Sequence, residues 1–596
     1  MILQQLWIDA DRIFEQTGSE GLPPPMYQWR PIRYVINLDS DGHLIRFTAQ
    51  ALEGKKGARG VPWLVPSMVR ASGIRPLLMA DKSSYVLGIE IQDPKKPAGK
   101  ADDRAEREHR AFKNLVQECA EVTGDPDAFA VACFLDGWDP QHPENLPADL
   151  GGDDLLSFEV EGRRPTDCSK VQAFWERKLR PPADAGDGAS FQCLVSGQIG
   201  PAATSSAVMI KGVPGGQSSG TALVSVNAEA FESYGLDRAQ TSPISGAASE
   251  RYSLALNALL GSEDHHIRVG GLVYVFWAAR GVAPVLKFLR SEVDPQDVAN
   301  LLDSYRSGSP WTKIDEAAFH CLALSASGGR VVVRSNIDTT VGKVRDSLAR
   351  WFERLQLIGR DGKPGKPLGL FALSVAPFRE SKDITPDVPR SIADAALTGA
   401  PLPTSLMRLA VRRCVAEGDV TYPRAVIINA VLSQSLSGEG IQSMATLNPQ
   451  DQPVAYHCGR LLAELESIQK EAIKGINATI TDRFFGAAST APARAFGLLL
   501  TGAQPHLGKL RKTNGPAYRG SQARLEEIMA CIAEFPTTVD IQGQAAFCLG
   551  YYHHKAAMRQ KMAEGKAAKD LAKAGAGEII QEEGDLYAHP DDADLS

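Results

Sequence analysis

The stretch whose reading decides the architecture is RFFGAASTAPARAFGLLLTGAQPHLGKLRKTNGPAYRGSQAR, residues 483–524. Two patterns meet in it. Phe496, Leu499, Leu500, Ala503, Leu507 and Leu510 recur at three- and four-residue spacing, which predicts an amphipathic helix. Ser489 or Thr490 supplies an N-cap, Pro492 suits the first turn, and Pro505 is expected to kink the helix or split it. The second pattern is charge. Arg483, Arg494, Lys509, Arg511, Lys512, Arg519 and Arg524 all fall here, with no Asp or Glu. The whole chain sets 64 Lys and Arg against 71 Asp and Glu, a net of −7; the 42-residue window is +7, so the remainder is −14. A generic surface mixes signs, so an acid-free basic run in an acidic protein implies a polyanionic partner. Charge alone also fits an ordinary solvated helix face that happens to lack acids.

Helical periods continue on both sides of this window, at 391–413, 424–432, 455–473, 521–535 and 541–564, while strand signals stop near Pro386. Residues 386–577 are therefore expected to form a separate helical domain or bundle. Residues 578–596, with seven acids and no Lys or Arg between 578 and 594, are expected to be a disordered tail.

Upstream, the texture is mixed. Residues 33–38 and 43–49 alternate about Asp39-Ser-Asp-Gly, and 319–325 and 330–335 flank Gly328-Gly329; both read as β-hairpins. A buried strand is expected at 272–278 and a covering helix at 341–354. Helices are expected at 102–122, 125–135 and 249–260. A strand is expected at 85–91, and short apolar runs at 156–160, 191–196, 207–211 and 223–226 read as antiparallel strands. The fold class is α+β: a mixed N-terminal region over 1–385, with room for more than one subdomain, then the helical domain.

At 596 residues the chain exceeds one hydrophobic core, and 43% hydrophobic with 23% charged residues is the balance of a soluble globular protein. No apolar run reaches the roughly 18 residues of a membrane span. The first twelve residues form an amphipathic pattern without a basic leader or cleavage site, so no signal peptide is expected. Nine scattered cysteines without close pairs point to a reducing cytoplasm and away from zinc.

Three motifs carry weaker signals. Gly212-Val-Pro-Gly-Gly-Gln-Ser-Ser-Gly is one residue short of a phosphate loop, and Gln217 stands where its lysine belongs. Lys211, Gln217 and Ser218 still offer a phosphate contact, with a plain β-turn as the alternative. Asp264-His265-His266 has the look of a phosphoesterase metal motif but lacks the further aspartates two metals need; a metal-dependent nuclease centred there is the competing class. The segment 61–84 carries Arg70, Arg75 and Lys82 with Ser72 and Ser83, stiffened by Pro62, Pro66 and Pro76, and holds one acid, Asp81. A rigid basic loop with small hydroxyls suits phosphate contact and groove-edge reading. Gly216-Gln-Ser-Ser-Gly is not placed as a strand-to-helix nucleophile elbow, and no His-Glu-x-x-His or Cys-x-x-Cys pattern occurs, which favours a binding protein over an enzyme.

Several stretches in one order carry a family resemblance: Ala222-Leu-Val-Ser-Val-Asn-Ala-Glu-Ala-Phe-Glu-Ser-Tyr-Gly, Ala255-Leu-Asn-Ala-Leu-Leu, Val275-Phe-Trp-Ala, Ala455-Tyr-His-Cys-Gly-Arg-Leu-Leu-Ala-Glu-Leu-Glu, Phe484-Phe-Gly-Ala-Ala-Ser-Thr-Ala-Pro-Ala-Arg and Leu549-Gly-Tyr-Tyr-His. Together they resemble the large subunit of the type I-C CRISPR surveillance complex, Cascade. The resemblance implies a subunit without catalytic residues, cofactor or metal. Its implied partners are crRNA, target double-stranded DNA, the Cascade backbone, crRNA-processing and small subunits, and the helicase–nuclease. It also implies that Arg70, Ser72, Arg75, Lys82 and Ser83 lie in the segment reading the protospacer-adjacent motif, where relatives place a polar amide near Leu77 or Leu78. The helical C-terminal part is similar to the Cascade small subunit.

Overall fold

The computed structural model describes all residues except 1, 19–20, 51–59, 69–72, 92–102, 144, 180–190, 201, 204–207, 227, 237, 280–284, 286, 291, 308–315, 436–443, 451 and 586–596. The chain divides into two compact units, one of Met1–Ser262 with Ala326–Val332, the other of Glu263–Ser325 with Val333–Ser596.

The first unit contains strands β1 (Tyr27–Ile32), β2 (Tyr34–Leu38), β3 (Leu44–Ala49), β4 (Val61–Pro66), β5 (Ala80–Lys82) and β6 (Leu155–Val160). The β2–β3 hairpin forms as expected. Its turn is held by the Asp39 carboxylate, which accepts from the backbone N–H groups of Asp41 at 3.0 Å and His43 at 2.8 Å. Four strands form one sheet in the order β3-β2-β6-β5. β6 runs antiparallel to β5 but parallel to β2, because a helical crossover separates β2 from β6. Helices Arg104–Thr123 and Pro126–Gly137 make that crossover, burying Phe112, Val116, Val131 and Phe134 with Ile36 and Phe158. The ring centroids of Phe112 and Phe158 lie 6.4 Å apart, and those of Phe134 and Phe158 5.9 Å apart.

Other strand expectations in this unit are corrected. Residues 85–91 contain no strand: helix Ser83–Val86 follows β5 directly. Of the runs at 191–196, 207–211 and 223–226, only a two-residue strand, β7 (Phe191–Gln192), survives, paired with β8 (Ile199–Gly200), plus a single bridge between Ile210 and Thr221. Gly197 and Gly212 close the first two runs before a ladder can extend, and residue 207 lies outside the described residues.

In the second unit β9 (His266–Val269), β10 (Leu272–Ala278), β11 (Ala318–Ser327) and β12 (Arg330–Thr340) form a four-stranded sheet in the order β12-β11-β10-β9. The tip of the β11–β12 hairpin belongs to the first unit. Every residue of β10 is buried. Helix Val341–Arg354 starts at Thr340, whose hydroxyl accepts from Lys343 N, and buries Val344, Leu348 and Phe352.

The hydrophobic core of this sheet runs without a break into the downstream helices, from Val269 to Ala556. The boundary between the two compact units falls at 262/263, and the change of texture at Pro386 lies within one continuous core. The helical period at 391–413 resolves into Asp387–Thr398 and Thr404–Glu417, broken where Gly399 takes a φ of +76° and Pro401 and Pro403 follow. Among the described residues no strand follows this point. Helix Ile541–Asp585 runs eight residues into the stretch expected to be a tail; residues 586–596 lie outside the description. Among the described residues no helix is long and apolar enough to cross a membrane.

The central element is helix Val454–Ala472, buried along most of its length against Ile541–Asp585. The two meet backbone to backbone. A Cβ on Gly459 would collide with the Phe547 carbonyl oxygen, and a Cβ on Gly550 with that of Tyr456. Substituting Ala at either position should lower the thermal transition, with overpacking costing about 1–3 kcal/mol against the roughly 1 kcal/mol that Ala gains in a helix. Gly497→Ala, on an exposed helix surface with open space around it, should raise the transition instead. Calorimetry of the three variants checks this.

Candidate nucleic-acid interface

The basic window folds as three consecutive helices, Ile480–Thr490, Pro492–Thr513 and Gly515–Ala530. The first opens with a capping box: Thr479 and Asp482 satisfy each other's backbone N–H groups, which fixes the nearest upstream carboxylate. The second is capped by Ala491 with Pro492 at its first turn, not by Ser489 or Thr490; Ser489 is buried and its hydroxyl donates to Gly486 O. The helix runs through Pro505 without dividing. Its inner face buries Ala495, Phe496, Leu499, Ala503, Leu507 and Leu510, with Phe496 stacked on Phe535 at 5.1 Å.

Of the seven basic residues, Arg483, Arg494, Lys509, Arg511, Lys512 and Arg519 are exposed, and none pairs with a carboxylate among the described residues. At about 100° per residue, Arg494, Lys509 and Lys512 fall within roughly 60° of one another on one face, spread over about 27 Å of helix. Leu498, 67% exposed, lies on that face between them. Arg511 is offset to the side, and Arg511 and Lys512 also suit the negative end of the helix dipole.

Arg524 departs from the expectation. Its guanidinium donates to both oxygens of Glu464, at 2.8 and 2.9 Å, and Glu464 is fully buried. His554 Nε2 shares that carboxylate at 2.8 Å. Burial would raise the Glu464 pKa, but His554 and Arg524 outweigh it and hold the group ionised, below its ordinary value. Beside it the buried Arg460 donates to Glu527 at 2.6 Å and contacts His457 Nδ1 at 3.2 Å. His553, its pKa pushed down to about 3 by burial, contacts the Tyr456 hydroxyl at 2.8 Å. Arg524 is thus an internal fastener rather than part of the outer charge.

The fold adds cations that the sequence window missed. Helix Thr404–Glu417 lies against Ile480–Thr490, and its end reaches the start of the latter: Gly418 abuts Thr481, and Val415 lies 3.4 Å from where a Gly486 Cβ would sit. The antiparallel alignment carries the exposed Arg412 and Arg408 back towards the junction near Arg494, and neither has a carboxylate partner among the described residues. Their i, i+4 spacing was the available signal, hidden by Glu417, which in fact pairs with Arg413 and Arg424.

The 61–84 segment is only partly a free loop. Residues 61–66 form β4, and Arg164 lies over the Trp63 ring at 3.8 Å. Arg75 is exposed. Lys82 pairs with Asp153. Ser83 is buried inside the fold, so it offers no contact to a duplex in this conformation. Leu77 and Leu78 are core residues, which removes positions 77 and 78 as base readers. Arg70 and Ser72 lie outside the described residues.

Lys211, Gln217 and Ser218 are exposed on a loop laid along the β11–β12 tip, with Gly216 bridged to Gly328. No helix follows it, so the arrangement is not a phosphate loop. Asp264, His265 and His266 do not converge. Asp264 is exposed and pairs with Arg290 at 3.3 Å, His265 turns its Nδ1 to Phe276 O at 3.1 Å, and His266 contacts Arg268 at 2.8 Å. Among the described residues the one metal-compatible cluster is Asp39, Asp41 and His43, at the turn of the β2–β3 hairpin.

The fold and site define a two-unit α+β protein whose helical part presents uncompensated positive charge. Residues 9–559 match the family described as CRISPR-associated protein (Cas_Csd1). The chain belongs to this family, the large subunit of the type I-C Cascade, and is a CRISPR-associated Cascade component. No curated protein matches it.

Arg524 and Lys512 separate internal from external charge. Arg524→Ala leaves Glu464 buried with one partner fewer and should destabilise the protein by about 3 kcal/mol. Lys512→Ala should stay within about 0.5 kcal/mol of the parent. Denaturant titration of both variants makes the comparison.

Proposed function

We propose that this chain is the non-catalytic large subunit of a crRNA-guided complex: it reads a protospacer-adjacent motif in target double-stranded DNA, helps open the duplex, holds a strand of the R-loop and supports recruitment of the helicase–nuclease. The observation that carries the reading is the run of six exposed, carboxylate-free cations on three consecutive helices, extended by Arg408 and Arg412. Phosphates repeat at about 3.4 Å along one strand of a duplex, so 27 Å of helix faces roughly eight of them. Such a surface is tolerant of sequence, and specificity then comes from guide pairing. Leu498 among the cations offers an apolar contact to an unstacked base.

For the motif-reading part, the supported candidates narrow to Arg75, with Lys82 available only if it leaves Asp153, and Arg70 and Ser72 beside them in sequence. The nuclease reading centred on Asp264, His265 and His266 has no support from their placement.

In the reconstituted guide-loaded complex, replacing Lys509, Arg511 and Lys512 by Ala should flatten the dependence of log affinity on log salt by about 2–3 units, roughly 0.7–0.9 for each phosphate no longer neutralised. An unaltered slope returns these residues to an ordinary solvated face. Replacing Arg70 and Arg75 by Ala should weaken binding to targets bearing the correct motif by about tenfold or more, while leaving motif-less duplex nearly unchanged. Equal weakening on both duplexes would make these arginines plain phosphate binders.

A further inference from the structure

Residues 222–235, the longest of the family-like stretches, end in a turn that the DNA-binding reading does not use. The base of this segment is fixed within the first unit: Ala222 N donates to Gly329 O and Val331 N to Ala222 O, both at 2.9 Å, on the tip of the β11–β12 hairpin. The Arg330 guanidinium lies over the Phe231 ring at 4.1 Å. Beyond that, Ser233 and Leu236 pair across a tight turn, with Leu236 N donating to Ser233 O at 3.0 Å. The two residues between them, Tyr234 and Gly235, have φ values of +55° and +72°.

A turn with two left-handed central residues takes Asn, Asp or Gly at low cost, whereas another L-residue there carries about 1–2 kcal/mol of backbone strain. Tyr234 carries that strain and is also 99% exposed, so its ring gains nothing from the protein's own core. Two unfavourable choices coincide at one side chain that a fastened segment holds out to solvent. Strain of this kind concentrates at clamps and docking elements, where a ligand supplies the compensating interactions.

The chemistry of the surroundings selects the occupant. Phe231 and Leu236 are also exposed, at 40% and 37%, so the turn offers a small apolar tip. Residues 229–236 hold Glu229 and Glu232 and no Lys or Arg, while Arg330 lies over Phe231 at the base of the tip and Asp237 and Arg238 follow in sequence. A tip with this small negative charge is less favourable to phosphates than the 483–524 window and accepts a positive protein surface. Tyr is the side chain that most often anchors such interfaces, because it buries a large ring at the cost of two torsions.

We propose that the 229–236 turn is a docking finger, and that Tyr234 inserts into a cationic, apolar-lined pocket on another protein subunit of the Cascade assembly. The inference needs only that the chain assembles with other Cascade components; it stands apart from the DNA-binding reading.

Tyr234→Asn tests it, since Asn tolerates the positive φ and removes the ring. The probe is the guide-loaded assembly of the remaining subunits, titrated with full-length chain. The expected result is a thermal transition equal to or above the parent's and affinity for the assembly reduced about tenfold or more, the scale of an anchor aromatic. Affinity of the isolated chain for naked duplex DNA or single-stranded RNA should be unchanged. Glu232→Gln should weaken assembly more at low salt than at high salt. Unchanged assembly by Tyr234→Asn overturns the proposal. So does a loss confined to RNA or DNA binding, which would make Tyr234 a base-stacking residue, or a change in self-association alone, which would make the pocket that of a second copy.

Discussion

Everything in the helical part depends on a backbone-to-backbone crossing. Helices Val454–Ala472 and Ile541–Asp585 touch at Gly459 and Gly550, each set against a carbonyl of the other. An approach this close brings polar side chains on the flanking turns into a region without water. There an isolated charge is expensive and a paired one is tolerated only with full hydrogen bonding. Glu464 meets that requirement through Arg524 and His554; Glu466 meets it through Tyr551, Lys470 and Lys555. The crossing thus dictates the network, and the network fastens helix Gly515–Ala530, through Arg524, to the central helix.

That fastening has an electrostatic consequence. Glu464 and Glu466 of the central helix are consumed internally, Glu471 accepts from Asn514 Nδ2 at 3.3 Å, and Asp482 is held at a helix N-terminus by its capping box. The outer surface of residues 483–519 is left with cations that have no carboxylate within ion-pairing distance among the described residues. The remainder of the chain is net negative at −14, so the window stands out against it.

How much of this was legible in the sequence follows from which forces are local. The β2–β3 hairpin, the β11–β12 hairpin, the buried β10 and helix Val341–Arg354 were readable because turn chemistry and period sit within a few residues of one another. The parallel pairing of β6 with β2 was not, since a partner more than a hundred residues away decides it. The runs between 191 and 226 had strand composition, but among the described residues they pair only as the two-residue β7–β8 ladder and the Ile210–Thr221 bridge. The unit boundary at 262/263 leaves no mark in composition, while the change from strands to helices at Pro386 lies inside one core, which ignores the type of element that lines it. The basic window was visible as charge, but Arg524 is told apart from Lys512 only by Glu464, sixty residues upstream. Arg408 and Arg412 were hidden because the surface they extend is assembled from two helices far apart in the chain.

The contrast between the window and the Tyr234 turn carries one step further. A phosphate-gripping surface works best with charges already in place, so that binding orders little; Arg494, Lys509 and Lys512 stand on a regular helix whose inner face is locked into the core. A docking finger needs the same economy but achieves it by strain, since a two-residue turn has no core of its own. In the two proposed roles, opposite charge then favours different partners: the window would repel a cationic pocket, and Glu229 and Glu232 would repel a nucleic acid. For a chain with both proposed roles, segregating sign between two elements is the simplest way to keep either partner from the other's place.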